Sequence, residues 1–217
     1  MSDHRTPDEQ RTDAALLLAL WARCAQHPRE DAGDKLRQMK LAFLAAHGLE
    51  KEGVRALNLS YYRWTWGPMS NEVYLAWEML ERAGLLENEE HFAFSRAGES
   101  LARDFYEDVL RDERNAVVHG VFGRVAGDWL EKPGTGQLLD AVYAMELTPI
   151  GSDQPRAVRE IRKGEELLAP VAPNAARSVL YVDRGWLETL ALTLVPGAAA
   201  PIHAAVADFR AGRVHVA

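Results

Sequence analysis

Seven histidines, one cysteine and a run of carboxylates are the residues of this 217-residue chain best able to hold a metal or move a proton. The histidines (His4, His27, His47, His91, His119, His203, His215) are scattered and show neither H-x-x-x-H nor H-E-x-x-H spacing. A metal needs several ligands that converge, and this pattern offers none. His203 and Asp208 stand five apart, a poor fit to one helix face. Cys24 sits among apolar residues at helical spacing, where a packed thiol is the default, and a lone cysteine cannot form an internal disulfide. Asp104, Glu107, Asp108, Asp112 and Glu113 alternate with Arg103, Arg111 and Arg114, the pattern of exposed ion pairs along a helix. No G-x-S-x-G elbow occurs. Gly134-Thr135-Gly136 lacks the lysine of a phosphate loop, and the glycines of Gly120 to Gly127 suit close helix packing. These patterns lead to a chain with no catalytic residues, no metal and no cofactor.

Two further groups could do binding chemistry. Tyr61, Tyr62, Trp64 and Trp66 form an aromatic cluster with only Arg63 beside it in sequence, so a core or dimer-seam role outweighs a stacking platform for single-stranded nucleic acid. Lys35, Arg37, Lys40, Lys51, Arg55 and Arg63 form one basic group, and Arg156, Arg159, Arg162 and Lys163 form another after Pro155. The whole chain carries a formal charge of −7, so any contact with a polyanion must rest on a local surface. Apolar residues make up 47% of the chain, enough for a packed core. Leu187 to Val206 is too interrupted by Pro196, Gly197, Pro201, Glu188 and His203 to span a membrane. The first residues lack the apolar stretch of a secretory signal. The expected setting is cytoplasmic.

The positioning elements follow from periodicity and turn chemistry. Residues 1–12 read as a flexible N-terminus, and Asp13 as the cap of a first helix carrying Leu16, Leu17, Leu20, Trp21 and Cys24. A second helix is expected from Asp34 to His47, stopped by Gly48. Ala56 to Trp66 reads as a strand or extended segment ending at Gly67-Pro68. Ser70 is placed to cap a third helix with a Val73, Ala76, Trp77, Leu80 stripe, closed by Gly84. Leu85 to Phe94 reads as a small hairpin turning at Asn88, and Ser95 as the cap of a long fourth helix reaching towards Val118. Beyond it, Gln137 to Met145, Gly185 to Leu194 and Pro201 to Arg210 read as helices, and Ser178 to Val182 as a strand. The fold class is mainly α with a small β-hairpin.

Helices followed by a hairpin is the order of a winged helix-turn-helix with a C-terminal helical accessory region. Lys40-Leu41-Ala42-Phe43-Leu44, Tyr62-Arg63-Trp64-Thr65-Trp66-Gly67-Pro68-Met69-Ser70, Gly84-Leu85-Leu86 and Phe94-Ser95-Arg96-Ala97-Gly98 stand in the order of a recurring set of bacterial winged-helix motifs. The combination resembles the YwgA-type proteins and the Panacea (SocA-like antitoxin) domains over about Asp13 to Asp108. Ser95 replaces the threonine of the family pattern and keeps its capping hydroxyl. The resemblance implies a winged-helix domain over 13–128 with an accessory region over 129–217. It also implies regulation, through DNA in many winged helices and through another protein in the antitoxin-like branch.

The third helix bears on both branches. Ser70 to Ala83 holds one cation, Arg82, against Glu72, Glu78 and Glu81, which would repel phosphates instead of releasing counterions. In the leading reading the chain is a DNA-binding regulator of transcription, acting on double-stranded DNA as a homodimer. Lys35, Arg37, Lys40 and Arg63 would meet phosphates, with Asn71, Tyr74 and Arg82 nearest the base edges. The rival reading is an antitoxin-like or adaptor module whose third helix binds protein through Tyr74, Leu75 and Met79.

Overall fold

The computed structural model describes residues 5–25, 34–87, 93–130 and 134–211. The first helix, α1 (Pro7–Ala25), starts where Thr6 and Glu9 form a reciprocal capping box. The Glu9 amide donates to Thr6 Oγ1 at 3.2 Å and the Thr6 amide to Glu9 Oε2 at 2.8 Å, and Pro7 fills the first helical position. Asp13 is therefore no cap, and residues 7–12 belong to the helix. Ten successive residues, Thr12 to Trp21, are buried. A helix apolar on all sides must be surrounded, and α1 is the axis on which the other helices pack.

The second helix, α2 (Lys35–Lys51), has Asp34 as its cap, accepting from the Leu36 amide at 2.8 Å. It runs straight through Gly48, contrary to expectation. A Cβ at Gly48 would stand 2.9 Å from Val121, so this glycine serves a close helix crossing, and the chain turns instead at Gly53, where φ is +68°. Four strand pairings follow among the described residues. β1 (Val54–Arg55) takes a parallel partner from far along the chain, β7 (Ser178–Val179). β2 (Tyr61–Trp64) and β3 (Gly67–Met69) form a tight antiparallel hairpin turning at Thr65-Trp66, and β6 (Glu166–Leu168) joins the other edge of β2. β4 (Glu146–Leu147) pairs antiparallel with β5 (Arg156–Ala157).

Helix α3 (Asn71–Arg82) is capped by Ser70 and ends in a Schellman turn. The Leu85 amide reaches the Leu80 carbonyl at 3.0 Å and the Gly84 amide the Glu81 carbonyl at 2.9 Å, with Gly84 at φ +70°. Of the expected hairpin, the described residues show one antiparallel bridge, between Leu86 and Phe94. The hairpin's Asn88 tip lies outside the described residues. Helix α4 (Arg96–Phe105), capped by Ser95 onto the Gly98 amide at 3.0 Å, is not the long fourth helix the sequence led us to expect. It runs into a π-turn at Tyr106–Leu110, breaks at Arg111-Asp112, and resumes through a 3-10 turn as α5 (Ala116–Leu130). Buried Asn115 pins that corner, donating to the Val109 carbonyl at 2.8 Å and the Tyr181 carbonyl at 2.7 Å while accepting from the Tyr181 amide at 2.8 Å.

Helices α6 (Gly134–Ala144), α7 (Arg184–Leu194) and α8 (Ala200–Arg210) complete the chain. The expected division at residue 128 falls inside α5. Leu138, Val142, Val158, Leu168, Leu190 and Leu194 share one core with Leu16, Leu17 and Trp21, so the second half is part of the same packed body. The architecture is mainly helical with small sheets of two or three strands.

A Cβ at Gly98 would collide with the backbone carbonyl of Leu85, whereas Gly123, within α5, has open space around it. Gly98→Ala should therefore lower the unfolding free energy by about 1–3 kcal/mol. Gly123→Ala should raise it by about 0.5–1 kcal/mol. Urea unfolding of the two variants checks both signs.

Candidate functional site

On α3 the side chains divide as the periodicity requires. Val73, Ala76, Trp77 and Leu80 are buried, and Tyr74 and Leu75 stay 42% and 47% exposed. Tyr74 meets the edge of Trp77, with ring centroids 5.0 Å apart, and Trp77 stacks on Trp21 of α1 at 5.6 Å. The Trp21 indole N–H donates to the Gln38 carbonyl at 3.2 Å. An aromatic ladder thus ties the outer face of α3 to the central helix.

Beside this ladder lies a groove of about 430 Å³. Leu75 and half-buried Met79 form one wall, and Leu194, Val195 and Pro196 from the end of α7 form the other. Arg5, Gln10, Glu78 and Arg82 supply a polar rim. The charges of α3 are mostly committed to neighbours: Arg82 pairs with Glu78 at 3.1 Å, Lys35 with Glu81 at 3.4 Å, and Ser70 Oγ donates to Glu72 at 2.9 Å. An apolar floor with a paired polar rim is the general form of a protein-binding surface. The far wall has no signature in sequence beyond the Pro196-Gly197 break, because the fold alone brings it opposite Met79.

The residues expected to meet DNA are not brought together. Arg37, Lys40 and Arg63 are buried, so none can reach a phosphate, and that expectation is corrected. Lys40, 1% exposed, donates to the Pro68 carbonyl at 2.7 Å. Arg63 donates through Nε to the Val158 carbonyl at 2.9 Å and lies over the Tyr143 ring at 5.1 Å. Lys35 is half-exposed, and its ammonium sits 5.8 Å from the centre of the Trp77 ring. Asn71, Tyr74 and Arg82 are exposed, but Asn71 accepts from the Tyr62 hydroxyl at 3.1 Å. For Arg63 the cause is strand parity. Tyr61 and Arg63 face inward, and Tyr62 and Trp64 face outward.

Other titratable groups are set by burial. Asp13, sealed in the core, accepts from Arg5 at 3.0 Å and from the Asn58 amide at 3.0 Å, yet burial pushes its carboxyl up to about 7. Burial, with Arg63 adding repulsion, pushes Lys40 down to about 7. Burial also drives the Cys24 thiol up to about 12 and His47 down to about 4. Among the described residues no three His, Cys, Asp or Glu side chains are grouped to hold a metal, and no helix is long and apolar enough to cross a membrane. Compared with protein-family models, with curated proteins and with solved structures, the chain matches none.

Asp13 and Lys40 give stability opposite slopes with pH. The Asp13 contribution is full below its ordinary pKa of 3.8 and is lost as pH rises to about 7. The penalty for burying charged Lys40 is full below about 7 and is relieved as pH rises towards 10.5. Wild-type stability relative to Asp13→Asn should fall from pH 4 to 7. Relative to Lys40→Met it should rise from pH 7 to 10, each by on the order of 2–4 kcal/mol. Urea unfolding across that range checks both.

Proposed function

We propose that the protein is a non-enzymatic interaction module of the adaptor or antitoxin-like kind, which binds another protein through the outer face of α3 and the groove beside it. Tyr74, Leu75 and Met79 are the anchors on the helix, and Leu194 to Pro196 form the opposing wall. The observation that carries this reading is the groove itself: apolar side chains from two distant segments face each other beneath a rim of mostly paired charges. Buried aromatic and aliphatic anchors at the centre of such a patch supply most of the affinity of protein complexes. The reading as a DNA-binding regulator of transcription is weaker, since three of its four phosphate partners lie in the interior and the fourth is held by Glu81.

A photo-crosslinking amino acid at position 75 should give a discrete adduct in the source cell. The same group at exposed Ile150 should not, and Met79→Asp should abolish the adduct while leaving the thermal transition in place. Equal labelling from both positions, or an adduct indifferent to Met79→Asp, would refute the groove as a partner site. Fluorescence anisotropy with random duplex DNA should stay flat at low salt, whereas a steep salt-dependent rise would restore the regulator reading.

A further inference from the structure

The outer face of the β3-β2-β6 sheet joins two groups that lie about a hundred residues apart in sequence. Tyr62 and Trp64 alternate with inward residues on β2 and share one face, with ring centroids 6.1 Å apart. Trp66 stands at the hairpin tip, 64% exposed, and Trp64 is 47% exposed. Two exposed tryptophans on one short hairpin are costly to leave in water unless a ligand covers them. The Tyr62 hydroxyl bond to Asn71 and the Tyr143 hydroxyl, which donates to the Thr65 carbonyl at 3.0 Å, hold this hairpin in place.

The basic segment after Pro155 comes to the same end of the sheet. The Gly164 amide donates to the Arg63 carbonyl at 2.7 Å, and the Arg63 amide to the Glu165 carbonyl at 2.9 Å. These bonds set the Arg162-Lys163-Gly164 turn beside Trp64. The Arg159 and Arg162 side chains are 65% and 84% exposed, and Lys163 is exposed. Glu165 is occupied by Arg156 at 2.7 Å and by Arg162. Beneath the face lies buried Arg63, with its Nη1 lacking a hydrogen-bond partner and with no carboxylate paired to it among the described residues.

We propose that this face is a binding platform for single-stranded nucleic acid: bases stack on Trp64, Trp66 and Tyr62, while phosphates meet Arg162 and Lys163. Unstacked bases present the flat faces such rings accept, and a neighbouring cation makes the contact independent of sequence. Duplex DNA hides those base faces. Glu166, directly across from Tyr62 in the strand register, and Glu165, paired with Arg162, are carboxylates beside the platform and limit its affinity. The platform is separate from the α3 groove and does not rest on it.

The test is anisotropy of fluorescein-labelled dT12 with the full chain at two salt concentrations, beside a labelled 12-base-pair duplex and vesicles of neutral and anionic phospholipid. Binding of dT12 should weaken about ten-fold in Trp64→Ala and again in Trp66→Ala, and Trp64→Phe should keep most of it. Arg162→Glu with Lys163→Glu should weaken it and flatten the salt dependence. Glu166→Lys should tighten it, and Leu75→Asp should leave it unchanged. Absence of dT12 binding by a folded wild type, equal binding of the duplex, or binding insensitive to the tryptophan variants would each overturn the proposal. Capture by anionic vesicles without capture of dT12 would assign the face to a membrane surface and overturn it as well.

Discussion

The burial of α1 on every side constrains the rest of this molecule. Ten residues in a row, from Thr12 to Trp21, are withdrawn from water, so a single partner helix cannot cover them and the chain must wrap. Helices α2, α3, α4, α5 and α7 all reach α1. Each buried Leu on it contributes about 1.5–3 kcal/mol of transfer free energy, and its loss would leave a cavity that the surrounding helices cannot fill without leaving their rotamers.

The polar cost of this arrangement falls on a few residues. Asp13 is carried into the core by the helix that needs Leu16 and Leu17 there, and Arg5 and Asn58 converge on its carboxylate. Lys40 and Arg63 are also drawn inward, where carbonyls of Pro68 and Val158 take their hydrogen bonds. Three of the four cations that sequence offered as phosphate contacts, Arg37, Lys40 and Arg63, are thus spent in the interior. What reaches the surface of α3 is an apolar groove, and what reaches the outer sheet face is a set of aromatic rings. Function on this scaffold follows from which parity of each element the central helix has already claimed.

The caps and stripes were legible in the sequence because they are local. Ser70 and Ser95 cap their helices as their side-chain chemistry requires, whereas Asp13, read as a cap, lies inside α1, and the Val73/Ala76/Trp77/Leu80 stripe is buried as its spacing demands. Gly48 misled because a helix-ending glycine and a packing glycine look alike until Val121 is placed against one of them. The break at Asp112 was hidden because apolar spacing continues through Phe105 and Val109 into α5. Pairings of distant segments (β1 with β7, β2 with β6) leave no periodic trace, and they decide both the wall of the groove and the basic edge of the aromatic face. Trp64 and Trp66 read as core or seam because only Arg63 adjoins them in sequence. The fold turns Arg63 inward and brings Arg162 and Lys163 up instead.

The claim on which the account depends is that residues beyond α5 complete the core around α1 and are no appendage to it. Far-ultraviolet circular dichroism during urea unfolding of a fragment ending at Leu130 measures this directly. Without Leu190 and Leu194 against α1, the fragment should show no cooperative transition. A sharp transition with a slope in proportion to its length would show a self-sufficient N-terminal domain and contradict the account.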